Sequence, residues 1–521
     1  MRRICILLLF IILPIFAYRY AIVVSNTTYS MNDWRAICDS LRLKHQGRIF
    51  IYTSSIYDVL SQLQNYQPDY ISFVGRPVSE VNRQFVRNCH QLTRQLDDDI
   101  YGDAIWGIIT GYTAEDALRI IRYDSLWVRT VLGGTNCTWD YWIEKGISTY
   151  EAEYNRIRFK FPNGTTLDTI WPERCPTDRC TLLVNYLNNG IDDTVPNRPR
   201  IVGNIDIFVT SGHASQWEWQ LHYPGSGYEG FFRSSNGQLR GDPYSGASRY
   251  INSSNPKLYF AVGNCLIGDV VDMNCMVLAW FHTGGAIQMT GYIVETWYGY
   301  MLWGLPAYYH YLQGRTTYAQ AFYLNNQSLL FDQINNTPGT NPSGLEYDKN
   351  NVAFYGDPAC QTRIYPIREP YYSENIEIRQ GTLRDTFIIT ITANYDSSTL
   401  GFSGVSGTRH PIVFLPVKIE SIQVENTNAH SVVITDNFCL FYVWYQGQRK
   451  FVRGETRYVR FTAKRKQVAI KEITLPIIKK GIQKEKIKGE IYDIFGRKIN
   501  RLRKGIYFIK ENEENFKIIK M

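Results

Sequence analysis

Residues Leu258–Asp269 read LYFAVGNCLIGD, and residues Asn204–Ser215 read NIDIFVTSGHAS. Each is an apolar, β-branched and aromatic run that stops at glycine plus one reactive side chain, Cys265 in the first and His213 in the second. Such runs form the strands of a parallel sheet buried on both faces, and open α/β sheets bind ligands beyond the carboxyl ends of their strands. Two neighbouring strands ending this way bring a thiol and an imidazole to one sheet edge. There a thiolate attacks a carbonyl carbon, the imidazole protonates the leaving amine, and the backbone N–H groups of Gly212 and Cys265 receive the oxyanion. Gly212 and Gly263 let the backbone turn sharply and approach a substrate. A lone cysteine after an apolar strand is ordinarily buried and inert, and a lone histidine at a strand end ordinarily caps it. It is the pair, on two like-patterned strands, that points to chemistry.

At these residues the chain resembles the gingipain-like cysteine peptidases, whose catalytic domain has a caspase-like fold. Gly212 and His213 match that family's Gly-His strand end, and Tyr259, Phe260, Gly263, Asn264 and Cys265 resemble its nucleophile strand. PDYISFVGRP at 68–77, GDAIWGIITGYTAEDALRII at 102–121 and AFYGDPAC at 353–360 are similar to further elements of the family. Two departures stand out. Ala214 replaces a second glycine, and His213 and Cys265 lie 52 positions apart, further than the resemblance implies. The excess falls in Pro224–Tyr250, whose Gly, Ser and Tyr content reads as a long surface loop. It is a lid, a specificity loop, a self-cleavage site at Arg233 or Arg240, or a solvated insertion with no role.

Along the chain, MRRICILLLFIILPIFA has two arginines, an apolar run too short to span a membrane, and a small residue at Ala17, which reads as a signal peptide over 1–17. From Tyr18 to Ile364, strand and helix patterns alternate: YRYAIVVSN, NDWRAICDSLRLKHQG, GRIFIYTS, SIYDVLSQLQNYQ. This argues for an α/β domain over 18–364, a mostly parallel sheet flanked by helices, as one large domain or two tandem halves. Thr113 and Asp116 form a capping box opening a helix.

The acidic turn LDDDIYGDA places Asp97, Asp99 and Asp103 close in sequence, a composition suited to a structural calcium ion or to a solvated turn. The chemistry itself requires no cofactor. Of ten cysteines, loss of Cys5 with the signal leaves nine. Cys175 and Cys180 have the spacing of a small disulfide loop, and Cys265 is the natural odd thiol. A third catalytic member that orients the imidazole is often an acid. The resemblance places it upstream of the histidine, where Glu151, Glu153, Asp140 and Glu144 are the candidates and Glu153 is the residue expected to serve. Downstream, WFHTGGAIQMTGYIVETWYGYMLWG reads as a helix end and another strand, and the resemblance makes the next segment a wall of the specificity pocket. There Glu295 or Asp269 attracts a basic P1 side chain and Trp297 stacks on its stem.

Beyond Tyr365 the helical periodicity disappears. Short β-rich runs over 365–463 suggest an all-β sandwich of immunoglobulin type, although no Cys-Trp-Cys frame is present. Residues 464–488 read as a basic linker, and nucleic-acid binding does not suit an exported protein. Residues 489–521 read as a small β module that resembles the C-terminal sorting domain of the bacterial type IX secretion system, on Gly496, Gly505 and Tyr507. The resemblance implies secretion or surface display and contact with the export machinery. The net charge of +8 says little about substrate. These readings converge on a secreted cysteine endopeptidase acting on protein or peptide substrates. Two rivals remain: an inactive caspase-like binding or adhesion module, and a transpeptidase using the same acyl-enzyme.

Overall fold

A computed structural model of the chain describes residues 18–135, 143–150, 156–170, 179–189, 204–221, 230–244, 246–396, 409–443, 451–466, 490–492, 506–512 and 515–520. By packing, the chain divides into a unit spanning Met1–Val468 and a small unit spanning Ala469–Met521.

The large unit is built on one twelve-stranded sheet. From one edge its strands run Arg48–Tyr52, Tyr20–Ser25, Tyr70–Val74 and Ile105–Ile109, all parallel. Next comes Val352–Tyr355, parallel to Ile105–Ile109 and antiparallel to Ala286–Tyr292. Parallel pairing resumes through Lys257–Ala261, Ile207–Thr210, Thr130–Gly133 and Lys145–Thr149. Two antiparallel strands, Arg156–Lys160 and Thr166–Ile170, close the far edge. The sequence leaves open one large domain or two tandem halves; the strands share a single sheet, joined by a strand from the end of the domain.

The central strands are buried along their whole length, as their unbroken apolar runs require. Helices with one apolar stripe cover the sheet, among them Asn32–His45, Arg83–Thr93 and Ala114–Ile121. The last is opened by the Thr113–Asp116 capping box read in the sequence. The Gly-Asp-Pro element lies at the core. Asp357 is buried and accepts hydrogen bonds from the Tyr20 hydroxyl and the His45 ring, both at 2.8 Å, with Lys44 Nζ at 3.1 Å. Burial alone would raise its carboxyl, but His45, Lys44 and Tyr20 hold it down to about 2.

The Pro224–Tyr250 stretch is not a long loop. Phe231–Ser235, Gln238–Asp242 and Arg249–Ile251 pair antiparallel with one another and with Glu218–Gln220 in a four-stranded sheet. The turn is Asn236–Gly237, both at positive φ, the pair that a two-residue hairpin with right-handed twist demands. Arg233 is held in this ladder by Glu218 and Asp242, and Arg240 by Asp242, so neither offers the extended, unpaired backbone that self-cleavage needs.

Seven further strands follow in two antiparallel sheets. One holds Tyr372–Arg379, Asp385–Ala393, Thr456–Arg465 and Ile419–Thr427; the other holds Ile412–Phe414, Phe438–Tyr442 and Ser431–Ile434. They pack onto the α/β domain through polar contacts such as Tyr308 Oη to the His410 carbonyl at 2.8 Å and Asn437 Nδ2 to Tyr323 Oη at 2.9 Å. The expected basic linker begins inside a strand, since Lys464 and Arg465 belong to Thr456–Arg465. In the small unit, Glu490–Tyr492, Ile506–Asn512 and Asn515–Lys520 form a three-stranded antiparallel sheet; Gly496 and Gly505 lie outside the described residues, as does the signal segment 1–17. Among the described residues no helix is long and apolar enough to cross a membrane.

Candidate active site

Strands Ile207–Thr210 and Lys257–Ala261 are parallel neighbours, with Thr210 opposite Ala261 and the Val262 N–H bonded to the Thr210 carbonyl at 2.8 Å. Both chains leave the sheet at the same edge, three and four residues before His213 and Cys265. Gly212 turns the first chain at φ +102°, where a side chain would be strained. His213 is exposed, and its carbonyl accepts from the Gln220 N–H at 2.9 Å, anchoring it to the antiparallel sheet beside it. The second chain turns at Leu266, a non-glycine residue at φ +58°. Its N–H bonds the Val294 carbonyl at 3.0 Å and that of Gly268 bonds Tyr292 at 2.8 Å, so the thiol turn is fixed to the neighbouring strand.

Cys265 is partly exposed, and its Sγ accepts the Thr296 N–H at 3.2 Å. The other six described cysteines are all buried, and burial pushes the thiols of Cys38, Cys275 and Cys360 up to about 12. Among the described residues no cysteine is in a disulfide. Cys180 is buried, with its Sγ 3.6 Å from the Phe231 carbonyl, and the partner expected for it, Cys175, lies outside the described residues. Thus Cys265 is not the one odd thiol; it is the one described thiol that reaches solvent. The backbone N–H groups of Gly212 and Cys265 find no acceptor among the described residues.

Asn264 was not singled out for its side chain in the sequence reading. It is fully buried, accepts from Thr210 Oγ1 at 2.8 Å and donates to the Gly212 carbonyl at 3.2 Å. The segment after strand Ala286–Tyr292 reaches the thiol through Thr296, placing Glu295 and Trp297, both exposed, next to it in the chain. Trp303, also missed, lies against Gly263, where an added Cβ would sit 3.0 Å from its indole nitrogen. The small residues at Gly263 and Gly299 were the legible sign of that close approach.

Asp269 does not face a substrate. It is 1 % exposed, and its Oδ2 takes the Arg83 guanidinium at 2.6 Å and Gln216 Nε2 at 3.3 Å, so its charge is already met inside the protein. Glu144 is also misplaced. It precedes strand Lys145–Thr149, whose parallel register puts it at the edge opposite His213, where it pairs with Arg129 at 4.0 Å. Asp140, Glu151 and Glu153 lie outside the described residues.

The carboxylates of Asp97, Asp99 and Asp103 do come together, with one oxygen of each within 4.8 Å of the others. Burial and the neighbouring Asp97 raise the Asp99 carboxyl to about 6 and drive that of Asp103 well above its usual range. The oxygen donors suit calcium, but a lysine already serves the cluster: Lys466 Nζ lies 3.4 Å from Asp97 and 2.9 Å from Asp436. The residues therefore fit a cation only in part.

No family model matches the chain, and no curated protein does. Among solved structures, the complex of Porphyromonas gingivalis RgpB pro- and mature domains is similar over 72% of this chain and 86% of that one. The identity is 10% and the TM-score 0.38, a likeness too slight to speak for fold or activity.

Proposed function

We propose that the chain is an exported cysteine endopeptidase, with Cys265 as nucleophile and His213 as general acid/base. The observation that carries this reading is the pair of adjacent strand ends, tied together by Asn264, that bear an exposed histidine and the one solvent-reaching described thiol. In the mechanism, Sγ attacks the peptide carbonyl carbon and forms a C–S bond, and the carbonyl oxygen takes the negative charge. The Gly212 and Cys265 N–H groups receive that charge. The imidazolium gives its proton to the amine nitrogen, the C–N bond breaks, and a thioester remains. Water, deprotonated by the same imidazole, hydrolyses the thioester and releases the thiolate.

The motif resemblance to gingipain-like peptidases supports the same chemistry, and the terminal strands support a sorting module and an extracellular or cell-surface destination. Glu153 is the proposed orienting acid. With Asp269 engaged by Arg83, a basic P1 preference rests on Glu295 and Trp297. Calcium at Asp97, Asp99 and Asp103 is a structural proposal, and the strands after Tyr365 are proposed to be immunoglobulin-like.

The test is turnover of a P1-scanned fluorogenic peptide set under reducing conditions, with and without calcium, by the secreted protein and its Cys265→Ala and His213→Ala variants. Cleavage should favour Arg or Lys at P1 and fall by about 1,000-fold or more in either variant. A preference for aliphatic or acidic P1 residues removes the basic pocket. If nothing is cleaved and an electrophilic peptide probe leaves Cys265 unlabelled, the chain is a binding module instead.

A further inference from the structure

We propose that Asn264 is a positioning residue that holds the His213 turn against the Cys265 turn; the proposal rests on the cysteine-peptidase reading above. The backbone ladder between the two strands ends at the Val262 N–H to Thr210 carbonyl rung. Beyond it, the Asn264 amide carries the connection onward, from Thr210 Oγ1 to the Gly212 carbonyl. Asn264 immediately precedes the nucleophile, and Gly212 immediately precedes the imidazole. Thr210 Oγ1 also lies 3.1 Å from the Tyr259 hydroxyl, so a polar chain crosses the strand pair three times, from Tyr259 to Thr210, to Asn264, to Gly212.

The chemistry of the contact selects an amide. The side chain must accept from a hydroxyl and donate to a carbonyl at once, which neither a carboxylate nor an aliphatic group does. Because Asn264 and Thr210 are both fully buried, the bond between them does not compete with water, and removing the amide leaves the partly buried Gly212 carbonyl without that partner. The Gly212 turn then drifts, and His213 with it. Misplacing a reacting group by about 1 Å costs about 100-fold in rate, so the loss falls on kcat rather than on KM.

The experiment uses the full chain with ¹⁵N-labelled histidines, the His213 signals assigned by His213→Gln, before and after Cys265 is capped with methyl methanethiolsulfonate. Capping should shift the His213 ring signals in the wild type, and that response should be lost in Asn264→Ala. Asn264→Asp keeps the Thr210 contact, loses only the donor, and serves if the alanine variant does not fold. Leu63→Ala, a cavity in the buried face of helix Leu60–Tyr66, is the control for a purely structural defect and should keep the response. On the best peptide, kcat should drop about 10- to 100-fold in both Asn264 variants with KM within about twofold, and stay unchanged in Leu63→Ala. A wild-type His213 that ignores capping overturns the peptidase reading and this proposal with it. A response kept in the Asn264 variants, or a kcat within about twofold of wild type, overturns this proposal alone.

Discussion

Asp348 shows how a single buried group can hold the chain on either side of it, bonding strand Ala286–Tyr292 and the Met301 backbone. It is fully buried, accepts the Tyr292 hydroxyl at 3.0 Å and the Met301 N–H at 3.2 Å, and its Oδ1 has no partner among the described residues. Burial lifts its carboxyl to about 6 against those two hydrogen bonds. A folded-state value above the ordinary value of about 3.9 means that the folded chain holds the proton more tightly. The stabilisation is then fully present below about pH 4 and is lost as pH rises through about 6. Asp348→Asn should therefore melt higher than wild type at pH 7.5 and match it at pH 4; melting curves that coincide at both pH values would sink the argument. At this scale the sequence was partly legible. Cys265 and His213 announced themselves because each follows a buried run and a glycine, a local pattern. Asp269 was misread because residue type does not say which way a side chain points, and its partner Arg83 lies 186 positions away. The side-chain contacts of Asn264, named only as part of the motif, and of Asp348 could not be read for the same reason: they exist only once distant segments pack.

Elements were legible where their apolar period was strong. The run at Tyr20–Ser25 is continuous and that at Asp385–Ala393 alternates in burial, and strands were read at both from their pattern; those at Tyr70–Val74 and Ile105–Ile109 were read through the resemblance. The failure was the hairpin Phe231–Asp242, where FFRSS and QLRGD are half polar and the surrounding Gly, Ser and Tyr dominate the composition. The Asn-Gly pair at 236–237 was the signal to weigh more heavily. Gly237 sits at φ +74°, and an added Cβ would lie 2.7 Å from the Tyr112 ring. Gly237→Ala therefore combines backbone strain with a clash and should destabilise the chain by about 2 kcal/mol. Urea unfolding checks this, and an unchanged midpoint would mean that the turn is not held as described.

The α/β domain is tied together through Asp357, which links the first strand, the first long helix and the closing Gly-Asp-Pro element across 337 positions of sequence. Its folded-state value of about 2 lies below the ordinary value of about 3.9, so its stabilisation is present above pH 4 and lost as pH falls toward 2. Asp357→Asn leaves Lys44 and His45 without their buried partner and should cost about 3–5 kcal/mol near neutral pH. The gap from wild type should narrow on acidification, and thermal unfolding between pH 3 and 7 measures it; a gap that did not depend on pH would assign the loss to packing. The alternation of strand and helix gave the α/β class, but not the single sheet. Val352–Tyr355 is only four residues long and runs against its neighbour Ala286–Tyr292, which no local pattern records. That late strand has a consequence for the chain as it is made. Until residue 355 has left the ribosome, the Ile105–Ile109 and Ala286–Tyr292 strands stand as bare edges, open to pairing with another nascent chain. A protein of this build is safest when holdase chaperones shield it until synthesis passes that point.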